Sequence, residues 1–144
     1  MTAREYMSRA FEIDRRIRAR HRRLAYLKSC IGTVGNGMDG MPKGSPHVTS
    51  VMEEQAIRIV DLENSIAEDE RNLVSVRAEI AQAIVHVGNE TLATILQMRY
   101  LDYMKWEDIM ATLDYCRSYL YELHGRALRM IRLNTLGPEK KGLY

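Results

Sequence analysis

Three prolines and two cysteines in 144 residues leave the chain little to interrupt its helices or cross-link them. Cys30 and Cys116 are too few and too far apart for a disulfide framework, and neither sits at a metal-ligand spacing. His21, His47, His86 and His124 are scattered, so no metal site is expected. No run approaches the roughly 20 apolar residues that cross a bilayer. The charged N-terminus also lacks the apolar stretch of a signal peptide, and a cytoplasmic protein with no membrane partner is expected. Glycine-rich phosphate loops are missing too: Gly32 to Gly44 does not end in Gly-Lys-Ser/Thr. No serine, histidine and acid arrangement stands out, and the carboxylates fall on what read as solvated helix faces. No enzyme activity, catalytic residue or cofactor is expected.

What remains is ordinary for a soluble globular chain, with 46% apolar and 28% charged residues and no repeat of solenoid period. Thr2 to about Ile31 reads as one long helix. Thr2-Ala3-Arg4-Glu5 fits a capping box, and Tyr6, Ala10, Ile13, Ile17, Leu24, Leu27 and Ile31 step by threes and fours, interrupted by Arg20. Such a helix spans about 45 Å and needs a partner of similar length. Gly32 to Thr49 holds five of the nine glycines and two of the three prolines, which marks a loop. Ser50-Val51-Met52-Glu53 offers a second capping box, after which Met52, Ile59, Leu62, Ile66, Leu73, Val76, Ile80, Ala83 and Val87 continue the seam. The two helices should form an antiparallel hairpin over residues 1–87, with Ile31 near Met52, Leu24 near Ile59 and Ile17 near Ile66.

Charge supports that pairing. Met1 to Ile31 carries nine basic and three acidic side chains, whereas Ser50 to Val87 carries three basic and eight acidic. The arginine cluster Arg15, Arg16, Arg18, Arg20, Arg22 and Arg23 is therefore read as one side of a complementary hairpin rather than as a nucleic-acid arm. Arg20 and Asp69 occupy seam positions, where polar groups select register at some cost in stability. One flank stays apolar at Phe11, Met7 and Val60, and a homodimer through the hairpin is expected.

The most specific stretch is Lys105 to Ile131, in a module expected over 88–134 with a flexible tail at 135–144. Trp106, Ile109, Met110 and Leu113 would form the inner stripe of a short helix, with Glu107 and Asp108 in its first turn, where the helix dipole favours carboxylates. Asp114-Tyr115-Cys116 breaks the pattern. In the next helix Leu120, Leu123, Ala127 and Ile131 share one face, while Arg117, Ser118, Tyr121, Glu122, Arg126 and Arg129 share the other. His124 borders the inner face, where a helix-packing hydrogen bond is expected. Gly125, costly in a helix, suggests the close approach of a backbone.

With ILQMRY at Ile95 to Tyr100, the WEDI start, Leu113-Asp114, Arg117 and the closing Arg126-Ala127-Leu128-Arg129, this third of the chain resembles region 4 of bacterial sigma factors. The whole chain, from TAREYMSRAFEID through IVDLE to YLYELHGRALR, also resembles small phage-encoded regulators of Gram-positive hosts, of the ArpU late-regulator type. These resemblances imply an all-α, DNA-binding phage or prophage transcription regulator acting on host RNA polymerase promoters. They place Arg117, Ser118, Tyr121 and Glu122 at bases or nearby phosphates and Arg99 at the backbone, with Lys105, Arg126 and Arg129 completing the double-stranded DNA contact set. Cys116 replaces the family's usual threonine, and Tyr121 and Glu122 replace a basic residue and an amide, so base preference does not carry over. The alternatives are a DNA-packaging component such as a small terminase subunit, or a protein-binding adaptor that does not touch DNA.

Overall fold

The protein is all-α in a computed structural model that describes residues 1–36 and 46–137, with no strand among the described residues. Helix α1 spans Ala3–Asn36 and α2 spans Pro46–Val85. There follow α3 (Glu90–Leu96), a π-helical turn (Gln97–Leu101), α4 (Trp106–Leu113), α5 (Arg117–Ile131) and a second π-helical turn (Arg132–Leu136). The packing divides into two compact units, one of residues 13–72 and one of residues 1–12 with 73–144.

At its start α1 is closed by the expected capping box: the Thr2 backbone N–H donates to Glu5 Oε2 at 2.7 Å and the Glu5 N–H donates to Thr2 Oγ1 at 3.2 Å. The Thr2 backbone bond, then the Thr2 hydroxyl, hold the exposed Glu5 carboxyl below its ordinary range. The second box is not a helix start. Helix α2 begins at Pro46, whose missing N–H costs nothing in a first turn, so Ser50 to Glu53 lies one turn inside. Likewise α1 runs through Gly32 to Asn36, which shortens the expected loop from its N-terminal side. The centre of that loop, 37–45, lies outside the described residues, as does the expected tail from 138 onward. Within that tail, Thr135 and Leu136 belong instead to the closing π-helical turn.

In the unit of residues 13–72, α1 and α2 run antiparallel. Ile13, Ile17 and Ile66 are buried, and Asp69 is buried among them, 7% exposed. Asp69 accepts from Arg16 through both nitrogens, Nε at 3.2 Å and Nη2 at 3.0 Å, and also from Arg20. The two polar residues expected at the seam thus answer each other. Lys28–Glu63 at 3.1 Å adds an outer ion pair. These pairs join positions several residues beyond the facing backbone levels expected from Ile17 opposite Ile66. Side chains lean toward their own helix N-terminus, which in an antiparallel pair produces an offset of that sense. Toward the loop the seam thins: Leu24, Leu27, Ile59 and Leu62 are only half-buried, and Met52 is exposed, because two helices alone cannot cover both flanks of an apolar stripe.

The other unit holds the larger core. Met7 and Ala10 of α1, Ile80 of α2, Ile95 and Leu96 of α3, Ile109 of α4 and Leu120, Ala127 and Ile131 of α5 are all fully buried. Met7 was expected on an exposed apolar flank and is instead core, a position the seam had given to Tyr6. Tyr6 is half-buried, with the Arg9 guanidinium 4.1 Å above its ring, and Arg9 reaches Glu79 at 2.8 Å. Gly88, at φ +72° with open space around it, makes the left-handed turn out of α2. Asn89 then caps α3, its side chain accepting from the Leu92 N–H at 3.0 Å.

Candidate nucleic-acid interface

Helix α4 ends on Asp114 in the left-handed conformation, φ 56°, a state that asparagine and aspartate tolerate better than other side chains. Two more residues, Tyr115 and Cys116, reach α5. The turn is held by the Asp114 and Tyr115 N–H groups, both donating to the Met110 carbonyl. The apolar face of α5, with Leu120, Leu123, Ala127 and Ile131, is buried as its spacing required, and α5 packs on α3. Ile109 is fully buried in α4, while Trp106, Met110 and Leu113 are half-buried.

That burial leaves Arg117, Ser118, Tyr121, Glu122, Arg126 and Arg129 exposed on the opposite face of α5. They are not equally available. Arg126 Nη2 is 2.8 Å from Glu122 Oε1 within one turn of helix, and Arg129 Nε leans back onto the Gly125 carbonyl at 3.4 Å. Arg117 makes no ion pair among the described residues. Beside it, the Ser118 hydroxyl lies 3.5 Å from Cys116 Sγ and, with the Tyr119 N–H, holds that exposed thiol below its usual range. Gly125 has no neighbouring backbone pressing on it: a Cβ there would meet only the Arg129 side chain, at 4.0 Å.

Next to this face an aromatic cluster lines a cleft of about 680 Å³. The π-helical turn after α3 puts one extra residue into the coil and carries Arg99 and Tyr100 toward α4 and α5. The Tyr100 hydroxyl and Nε2 of His124 are 2.7 Å apart in the interior, the helix-packing hydrogen bond expected of His124. Trp106 meets the rings of His124 and Tyr121 edge-on, at 4.7 and 5.3 Å. Burial first, then the charges of Arg4 and Arg99, push His124 down to about 4, and burial pushes the Tyr100 phenol up. Near neutral pH the ring carries no charge. Arg99, half-buried, lies 4.7 Å over Trp106 and donates to the Met104 carbonyl at 3.0 Å. Lys105 stands exposed at the head of α4 on the rim of the cleft.

Tyr103 closes the far wall in a left-handed backbone state, φ 56°. That is uncommon for a bulky residue and costs of order 1–3 kcal/mol. Arg77 holds it there, donating to the Leu101 carbonyl at 3.1 Å and to the Tyr103 hydroxyl at 3.0 Å, while Phe11 meets its ring edge-on at 5.6 Å. Arg4, Phe11, Arg77 and Tyr103 were not picked out as site residues from the sequence. Tyr103 falls in the tyrosine-bearing run ILQMRYLDY, whereas nothing local in the sequence joins Arg4, Phe11 and Arg77 to it.

The contact set thus falls into two groups. Six residues share the outer face of α5, with Tyr121 also reaching the cleft, while Arg99 and Lys105 belong to the cleft. Over residues 51–132, more than half of its length, the chain matches the family described as "Protein of unknown function (DUF1492)". The chain belongs to this DUF1492 family. Its matched span takes in α2 from Val51 onward, α3, α4, α5 and all eight candidate contact residues. Arg4, Ser8 and Phe11, which complete the cleft, lie outside it. No curated protein and no solved structure matches the chain.

Proposed function

We propose that α4, its three-residue turn and α5 form a helix-turn-helix that binds double-stranded DNA, in a phage or prophage transcription regulator with a sigma-region-4-like reading head of the ArpU type. The observation that carries this reading is the outer face of α5. Leu120, Leu123, Ala127 and Ile131 go to the core, and Arg117, Ser118, Tyr121 and Arg126 are left exposed along the other side of a 15-residue helix. A helix of that length presented by a buried scaffold fits a major groove, with its first residues at base edges. Host RNA polymerase is the natural partner of such a module beside a promoter.

The hairpin supplies the second half of the proposal. In the unit of residues 13–72, Tyr26, Ile57 and Val60 are 67%, 61% and 53% exposed beside a half-buried seam, which favours pairing with a second copy. A dimer would double the few phosphate contacts that one small module can make.

Fluorescence anisotropy on DNA fragments enriched by selection with the full-length protein tests the reading. Salt-dependent binding with a sequence preference supports it. No binding even at low salt would leave a protein-binding adaptor. Light scattering separates the remaining alternative, because a ring of many subunits fits a packaging component and a dimer fits a regulator.

A further inference from the structure

The cleft between the π-helical turn after α3, α4, α5 and the first turns of α1 brings cations and aromatic rings together. Its rim and floor carry Arg4, Arg99 and Lys105, and no carboxylate lines it. Neither Arg4 nor Lys105 makes an ion pair among the described residues, and both are exposed. His124 is neutral and adds no fourth charge, and among the described residues no carboxylate on the cleft wall answers the three cations. Between the cations stand Phe11, Tyr103, Trp106 and Tyr121. Phe11 and Tyr121 are 45% and 44% exposed, an amount of aromatic surface that folding leaves unspent. The volume, about 680 Å³, lies in the range of sites for small organic ligands. The walls are fixed in advance: Arg99 is anchored on the Met104 carbonyl and Trp106, Tyr103 on Arg77, and Tyr100 on His124.

Clustered cations select an anion, and apolar aromatic walls select a planar ring attached to it. A carboxylate would satisfy one arginine in bidentate fashion. Three separate cations match a phosphate better, since its three terminal oxygens can be shared among them. We propose that this cleft binds a nucleoside monophosphate, its phosphate held by Arg4, Arg99 and Lys105 and its base against the aromatic wall of Trp106 and Tyr121. The site shares Tyr121 with the outer face of α5, and Arg99 and Lys105 with the DNA contact set expected from the sequence, but its test does not require DNA binding.

Trp106 is the only tryptophan of the chain, so fluorescence excited at the red edge, where the tyrosines do not absorb, reports on this cleft. The full-length protein is titrated with thymidine monophosphate, with thymidine and inorganic phosphate as the two halves of the ligand. Saturable quenching by the monophosphate, at least tenfold tighter than by either half, is the expected result. Arg4→Gln and Lys105→Gln should each weaken it about fivefold or more. Both side chains are exposed and make no ion pair among the described residues, so neither change threatens folding, and far-ultraviolet circular dichroism checks this. Absence of saturable quenching at millimolar ligand overturns the proposal. So does binding that inorganic phosphate reproduces, or that both variants leave intact. A short duplex that expels the nucleotide in the parent protein, and binds fivefold or more weakly to Arg4→Gln, would also overturn it, by making the cleft a clamp for the DNA backbone.

Discussion

His124 offers the sharpest test of how the core of the DNA-proposed module is built. Its ring is 5% exposed, bonded to the Tyr100 hydroxyl and packed against the edge of Trp106, and it titrates near 4 rather than 6.5. The folded state therefore keeps the ring neutral at pH values where the unfolded chain would protonate it. Where the unfolded state binds more protons, stability rises with pH. The contribution is fully present above about pH 6.5 and is lost as pH falls toward about 4. At about 1.4 kcal/mol per pH unit the whole loss is at most about 3 kcal/mol, of which roughly 2 kcal/mol falls between pH 7 and pH 5. Urea titrations of the parent and of His124→Gln at these two pH values isolate the effect, because carboxylates and the other histidines cancel in the difference. The variant should lose the packing of the ring, and its deficit should shrink by about 2 kcal/mol on going to pH 5. A deficit identical at both pH values would refute the buried neutral ring. A deficit larger at pH 5 would mean that the folded state prefers the imidazolium.

Other perturbations probe the remaining joints. Ile66→Ala should cost about 2 to 5 kcal/mol in denaturant titrations, and Leu24→Ala or Leu62→Ala roughly half as much, because of these three side chains Ile66 is buried and the leucines are half-buried. Equal costs would show that the flank of Leu24 and Leu62 is covered in solution. Asp69→Ala should cost about 2 to 3 kcal/mol, since Arg16 and Arg20 both lose their acceptor, whereas Lys28→Ala, in an exposed pair, should stay within about 1 kcal/mol. Thr2→Ala should cost about 1 kcal/mol and fray the start of α1, visible as faster amide exchange at Glu5.

The helices and the inner face of α5 were legible because they are written in periodicity, a property of local sequence. The Thr2 box, the Asp69 partnership with arginine, the break at Asp114 and the His124 hydrogen bond all follow from residues placed where a helix leaves them one option. Misplacements came where two local options competed. Met7 and Tyr6 are adjacent in sequence but about 100° apart around the helix, and only the packing of α1 within its unit decides that the thioether goes inside and the phenol stays at the edge beneath Arg9. Ser50-Val51-Met52-Glu53 has the composition of a helix start, but composition cannot tell that Pro46 starts the helix one turn earlier. The cleft was illegible for a stronger reason. Arg4 and Tyr103 are nearly 100 positions apart in sequence, and the left-handed state of Tyr103 is imposed by Arg77 from another helix.

The same geometry decides which substitutions would separate base reading from phosphate anchoring. Arg117, without an ion pair among the described residues, stands at the first residue of α5, so Arg117→Ala should weaken the preferred site by about 1 to 3 kcal/mol and leave other sequences nearly unchanged. Arg126 begins from a different state. Its guanidinium is held by Glu122 at 2.8 Å, and phosphate must compete with that carboxylate before it gains a contact. Glu122→Gln removes the competitor. It should tighten binding to all sequences and steepen the dependence of log Kd on log salt by part of about one contact, while Arg126→Ala should flatten it by the remainder of that contact. Arg99 is unsuited to this comparison, since its loss would also unseat Trp106. Anisotropy over a salt series with preferred and scrambled duplexes measures both quantities at once. If Glu122→Gln left the salt dependence unchanged and Arg117→Ala left the preference unchanged, α5 would not be the reading element. The arginines of α1 would then be the next residues to test.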